Sequence, residues 1–187
     1  MLKKFLSLML TAAVMLCLCS CGQEKTPGAV QLTQTKNGEF AQFSAQDLNG
    51  NPVDASILKD NTLTVINIWG TYCPPCLEEM PALGELAEEY RDRGLNIIGI
   101  VSDIQQGENN EEQLQTANEL IQQTGADYMH LLPSQDLYNI VLGDVSSIPF
   151  TLFVDSSGNV LATRTGAMTK AKWAEVFDYM LKYAAKD

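Results

Sequence analysis

Positive charge, histidine and cysteine are all scarce in this chain. Twelve lysines and arginines stand against 23 acidic residues, a formal net charge of −11 over 187 residues. So acidic a chain repels phosphate backbones, which excludes nucleic acid as a partner and electrostatic docking to anionic lipid. There is one histidine, His130. A lone imidazole lacks the partners that catalysis needs and reads as a structural or surface residue. Of five cysteines, three (Cys17, Cys19, Cys21) crowd near the start, leaving only Cys73 and Cys76 for the remainder. A structural zinc site normally takes four ligands, so that chemistry lacks donors. Long hydrophobic runs are missing too. The longest, Phe5 to Cys19, is about 15 residues, short of the roughly 20 that span a bilayer.

What is present is concentrated between Leu63 and Tyr90. A strand-like run (Leu63, Val65, Ile66, Ile68, Trp69) leads through Gly70-Thr71-Tyr72 into Cys73-Pro74-Pro75-Cys76. Leu77, Met80, Leu83, Leu86, Ala87 and Tyr90 then recur at helical spacing. Pro74 and Pro75 suit the first turn of a helix, where N–H groups have no intrahelical partner. The reactive form of cysteine is the thiolate, and a thiol with pKa near ~8.5 is mostly protonated at neutral pH. Orphan N–H groups and the positive end of the macrodipole at a helix start both favour the anion. Cys73 is therefore expected to be the attacking thiol. Cys76, one turn on, is expected to be the resolving thiol that closes a disulfide with it. An inert structural disulfide here would close a very short loop and gain little chain entropy.

The first 20 residues read as a targeting segment, with Lys3 and Lys4 ahead of the apolar run. That run ends Leu18-Cys19-Ser20-Cys21-Gly22, which resembles the bacterial lipobox. The resemblance implies cleavage after Ser20 and a lipidated Cys21, anchoring the chain to the bilayer from outside the cytoplasm. Two or more acyl chains make a stable anchor. Ten basic and 23 acidic residues would remain, near −13. Only Cys73 and Cys76 would then keep free thiols, in a compartment where disulfides persist. Residues 21–39 read as a flexible tether; its polar stretch from Gly22 to about Gly38, without apolar period, is some 17 residues and reaches at most about 60 Å. Residues 40–187 form the folded domain.

Along that domain, Phe40 to Val53 looks like a strand, a turn at Asn49-Gly50 and a return strand. Asp54 can cap a helical turn through Leu58. Gly94 is placed to cap the helix after Cys73. Leu95 to Val101 is a near-continuous apolar run, as in a parallel strand buried on both faces. Ser102 to Asn110 reads as a polar loop, Glu111 to Thr124 as a helix stopped by Gly125, and Asp127 to Leu132 as a strand. Asp136 to Leu142 reads as a short helix, Ser147 to Val154 as a strand, and Asn159 to Thr165 as its antiparallel partner. Thr169 caps a final helix carrying Trp173, Val176, Phe177, Met180, Leu181 and Ala184 on one face. Strands alternating with helices, then a hairpin and a helix, give an α/β sandwich with a mixed central sheet.

Trp69-Gly70-Thr71-Tyr72-Cys73-Pro74-Pro75-Cys76 after a buried strand, with Ile148-Pro149 before a later one, resembles the thioredoxin superfamily. The Phe43…Asp47-Leu48-Asn49-Gly50…Pro52-Val53 lead-in and the extra strand–helix segment near 95–132 are similar to its TlpA/ResA branch of membrane-anchored thiol–disulfide oxidoreductases. The resemblance implies a thioredoxin fold with an N-terminal β-hairpin and an inserted strand–helix segment. It implies that Pro149 is a cis-proline abutting the disulfide, that Ile148 offers its backbone to a substrate strand, and that Trp69 and Tyr72 serve the substrate site. The branch carries a functional glutamate three residues after its second active-site cysteine, and Glu79 matches. On a helical wheel Glu79 falls inside the apolar arc of Leu83 and Leu86, where burial would raise its pKa and let it exchange a proton with Cys76. Tyr72, where the superfamily usually has Trp, and Phe150, where Thr is common, both alter the substrate rim. Asn67 takes the place of a buried Asp in thioredoxin itself.

No cofactor and no metal is implied. The expected substrates are protein disulfides, with apocytochrome c, a sulfoxide reductase and general repair all open. An integral-membrane electron relay would be the reductant. Run backwards, the same residues would install disulfides. A Cu(I) carrier using Cys73, Cys76 and His130 is a different class, although related copper chaperones space their cysteines more widely. A peroxiredoxin shares the lead-in, but its cysteine follows Thr by three residues, whereas Thr71 precedes Cys73 by two.

Overall fold

The computed structural model describes residues 26–33, 37–104 and 110–186. The proposed signal segment, its cleavage site and Cys21 lie outside them. Among the described residues, eight strands form one mixed sheet. They are β1 (Gln31–Leu32), β2 (Ser44–Asp47), β3 (Pro52–Asp54), β4 (Leu63–Trp69), β5 (Leu95–Val101), β6 (Met129–Leu132), β7 (Phe150–Asp155) and β8 (Val160–Thr165). Their spatial order is β1-β8-β7-β4-β5-β6-β2-β3. β4, β5 and β6 run parallel, and every other pair is antiparallel. The helices are α1 (Pro74–Tyr90), α2 (Glu111–Thr124), α3 (Gln135–Ile140) and α4 (Lys170–Ala184).

The apolar run Leu63–Trp69 becomes the central strand because every residue of it is buried, as suits a strand covered on both faces. Its odd-numbered positions face α1, α4 and α2. Leu63 and Val65 pack with Leu83, Leu86, Trp173 and Phe177, and Trp69 packs with Cys76, Met80 and Ala117. The even-numbered Ile66 and Ile68 face the hairpin and α3 side, with Phe40, Phe43, Leu58 and Leu137. Helix α1 approaches α2 closely at Gly84, where a Cβ would lie 2.2 Å from the Gly125 carbonyl oxygen.

Several caps lie where the sequence places them. Asp54 accepts from the Ser56 amide, and Thr169 accepts from the Lys172 amide. Gly125, at φ 67°, ends α2. Gly94 ends a 3₁₀ turn (Arg91–Arg93) that follows α1 rather than α1 itself.

Three expectations are corrected. The segment 21–39 is not a free tether throughout its described part. Residues 26–33 are docked on the domain, with Val30 buried against the α4 side of the core. Gln31 and Leu32 pair with Thr163 and Ala162, and the Thr33 amide donates to the Leu161 carbonyl at 2.8 Å. The reason is that β8 would otherwise present an open edge; two residues of added strand are too short to show a period. Phe40 and Phe43 are not in the first strand. They are buried plugs ahead of β2, and the Phe40 amide bonds the Gly158 carbonyl across the β7–β8 turn. Finally, the strand after the Ile148-Pro149 step starts only at Phe150, because Pro149 has no N–H to give to a ladder.

Candidate redox site

The end of β4 and the start of α1 bring the two cysteines together. Cys73 and Cys76 form a disulfide, with Cα atoms 5.3 Å apart. Cys73 is 5% exposed and Cys76 fully buried, so only the first sulfur has any access to a partner. Cys73 is the N-cap of α1. The donors usual at a helix start are depleted here. Pro74 and Pro75 have no N–H, and the Cys76 and Leu77 amides both donate to the Cys73 carbonyl. Stabilisation of a Cys73 thiolate therefore rests on the macrodipole more than on directed N–H bonds.

The loop ahead of Cys73 is held by a residue that sequence reasoning passed over. Asp103, just beyond β5, accepts from the Thr71 amide at 3.1 and 3.2 Å and from the Thr71 hydroxyl at 2.5 Å. It lay within a stretch read only as polar loop. The available signal was its position directly after a buried strand that runs in register beside β4, Trp69 opposite Val101. Gly70 lets the loop close. A Cβ there would meet Ile148 Cδ1 at 3.1 Å, Tyr72 at 3.2 Å and Asp103 Oδ1 at 3.4 Å.

Tyr72 is 72% exposed, Ile148 half-buried and Pro149 buried, and the Ile148–Pro149 bond is cis. Tyr72 and Ile148 share the wall of a cleft of about 350 Å³ with Ile68, Tyr138, Leu142 and Val145. Trp69 does not belong to this rim. It is fully buried under the disulfide. Its indole N–H donates to His130 Nδ1 at 3.1 Å, so His130 Nε2 carries the proton and donates to the Ala126 carbonyl at 2.9 Å. Burial pushes the His130 pKa down to about 4, against the opposing pull of the Ala126 carbonyl and Asp127. With both ring nitrogens engaged, His130 is a structural histidine, and the Cu(I) reading loses its third ligand.

Glu79 lies inside the core, 2% exposed. Asn67 Nδ2 donates to its Oε1 at 3.0 Å. The Met168 amide and the Trp173 indole donate to its Oε2 at 3.1 and 3.2 Å. Burial pushes its pKa up to about 7, outweighing those three donors and the charge of Arg164. A carboxyl that changes state near neutrality, one helical turn beyond Cys76, is suited to moving a proton.

Residues 35–179 match the family profile described as Redoxin. The chain belongs to the Redoxin family. Within that family it is 30% identical over 146 residues to the thiol-disulfide oxidoreductase ResA of Halalkalibacterium halodurans, covering 78% of this chain and 77% of that one. It is 25% identical to ResA of Bacillus subtilis over 78% and 74% of the two chains. Among solved structures, a thioredoxin-family thiol:disulfide interchange protein from Chlorobium tepidum is 26% identical with a TM-score of 0.60, covering 76% and 92%. StoA from Bacillus subtilis, at 20% identity, matches with a TM-score of 0.56 over 74% and 97%. This Redoxin domain has the thioredoxin-like fold, and the protein is a thiol–disulfide oxidoreductase of the ResA type with Cys73 and Cys76 as its cysteine pair.

Proposed function

We propose that the protein works as a reductant of protein disulfides outside the cytoplasm, lipid-anchored through Cys21. The observation that carries the direction is the start of α1. With N–H groups missing at Pro74 and Pro75 and the Cys76 amide already engaged, the Cys73 thiolate is less stabilised than at an ordinary helix start. A less stabilised thiolate makes a couple that gives up electrons more readily. In the reduced protein, the Cys73 thiolate attacks one sulfur of a substrate disulfide, and the other sulfur leaves as a thiolate that takes up a proton. Cys76 then passes its proton toward Glu79 and attacks Cys73. The mixed disulfide breaks, the second substrate sulfur leaves as a thiolate that takes up a proton from solvent, and the protein is left as the disulfide. Two electrons from a membrane relay restore it. Ile148 would pair with the substrate backbone, and Tyr72 would flank the approaching cysteine. Apocytochrome c and a sulfoxide reductase are substrates of fitting chemistry.

The test is the reduction potential of the Cys73–Cys76 couple, read with Cys76→Ser, which should accumulate a mixed disulfide through Cys73. A value near about −270 mV agrees with a reductase, and one near about −120 mV overturns the direction in favour of a disulfide-installing oxidase. Exchange activity surviving in Cys73→Ser would overturn the assignment of the attacking thiol.

A further inference from the structure

One layer of the sheet is polar inside a mostly apolar core. Asn67 on β4 lies in register with Thr151 on β7 and Gly99 on β5, and Gly99 in turn with His130 on β6. Above this row hangs Glu79. Its three partners among the described residues all donate: Asn67 Nδ2, the Met168 amide and the Trp173 indole. That set suits a carboxylate. It leaves a protonated Glu79 with no place for its hydrogen, since a backbone N–H and an indole N–H cannot accept. Of the three partner groups, only the Asn67 side chain also carries an acceptor. Asn67 is fully buried, and its Oδ1 has no hydrogen-bond partner among the described residues.

We propose that Asn67 is a positioning residue whose side-chain amide reverses when Glu79 changes between carboxylate and acid. In the present orientation Nδ2 donates to Glu79 and, at 3.1 Å, to Thr151 Oγ1. Turned by 180°, Oδ1 takes the place of Nδ2 and faces the same two groups. Glu79 then donates its O–H to Oδ1. The Thr151 hydroxyl, which can donate or accept, turns its own hydrogen to the same oxygen. In the present orientation no bond among the described residues holds Oδ1 in its outward place, so the state of Glu79 decides which end of the amide turns inward. The switch is a two-position element biased by one proton.

Other groups act on Glu79 from the surrounding elements. Arg164 on β8 favours the carboxylate. The buried Tyr128 hydroxyl ahead of β6 feels the Glu79 charge and has its own pKa raised, chiefly by burial. Cys73 and Cys76 stand at the start of the same helix. In the reduced protein this arrangement would let Glu79 receive the Cys76 proton without leaving its hydrogen unpartnered in the core. The inference thus rests on the proton-transfer role given to Glu79 above.

The test is an NMR titration of the oxidised full chain from pH 5 to pH 9, following the Glu79 carboxyl carbon and the Asn67 side-chain amide together. The Asn67 signals should move with the same midpoint as Glu79, and their cross-peak to the Glu79 γ-methylene should weaken at least two-fold on the acid side. Glu79→Gln, whose amide imitates the acid, should hold the Asn67 signals at their acid-side positions at every pH. A Glu79 that titrates while Asn67 stays unchanged overturns the switch and leaves the proton-transfer reading intact. A Glu79 carboxyl with no transition between pH 5 and pH 9 overturns both.

Discussion

Glutamine in place of Glu79 should change how stability depends on pH, in a direction fixed by the burial of this carboxyl. In the folded protein Glu79 titrates at about 7, against an ordinary value of 4.5. Below pH 4.5 it is protonated in both folded and unfolded chains and contributes no pH dependence. As pH rises, the unfolded chain releases the proton first, and the folded chain is penalised until the pH passes 7. The gap, at about 1.36 kcal/mol per pH unit, amounts to roughly 3.4 kcal/mol at high pH, of which about 2.5 kcal/mol develops between pH 5 and pH 8. Glutamine cannot titrate, so the stability of Glu79→Gln relative to wild type should rise by about 2.5 kcal/mol over that interval. For a chain of this size that is a relative gain of about 5–10 °C in Tm. The assay is urea unfolding of the oxidised proteins at pH 5, 6, 7 and 8, compared pairwise at each pH. The pairwise comparison matters because His130 opposes Glu79. Its pKa falls from 6.5 to about 4, so the stability that comes from keeping it neutral is lost as pH falls through that window. Between pH 4.5 and 6.5 the two slopes nearly cancel in wild type. A difference that stays constant with pH would mean that Glu79 titrates normally and that its three donors offset burial. A difference that falls with rising pH would mean that the carboxylate is the favoured form, and the reasoning from desolvation would be refuted.

Two further outcomes follow from the same network and from the loop ahead of Cys73. The stability of His130→Gln relative to wild type should rise by about 2.6 kcal/mol as pH falls from 6.5 to 4 in the same pairwise urea assay, leaving the Glu79 slope exposed in the variant. Asp103→Ala removes the acceptor for both Thr71 donors. It should lower stability by about 1–2 kcal/mol and slow reduction of the disulfide by dithiothreitol, with Asp103→Asn recovering part of both; unchanged reduction kinetics in Asp103→Ala would show that the clamp does not position Cys73.

Much of this protein was legible before the structure, and the reason lies in where the information sits. The order of strands and helices, the caps at Asp54, Gly125 and Thr169, and the cysteine pair opening α1 are local. Each is written in a few adjacent residues through periodicity, capping chemistry or spacing. The wheel position of Glu79 is local too, and α1 does bury it. What sequence could not decide is who meets that carboxyl. Asn67, Met168 and Trp173 come from β4, the loop after β8 and α4, between 12 and 94 residues away. Likewise Asp103 reaches Thr71 across 32 residues, and His130 reaches Trp69 across 61. Trp69 shows the limit from the other side. Its motif marked it as part of the site, but β5 and α2 close over it, so it supports the disulfide from beneath. The docking of residues 26–33 depends likewise on an edge of β8 that exists only once the sheet has formed. The sequence by itself determined the fold class and the reacting sulfurs, because helix and strand signals and Cys-x-x-Cys chemistry act over a few residues. The protonation states around those sulfurs were decided by tertiary structure alone, because burial and hydrogen-bond partners are contributed by segments that only packing brings together.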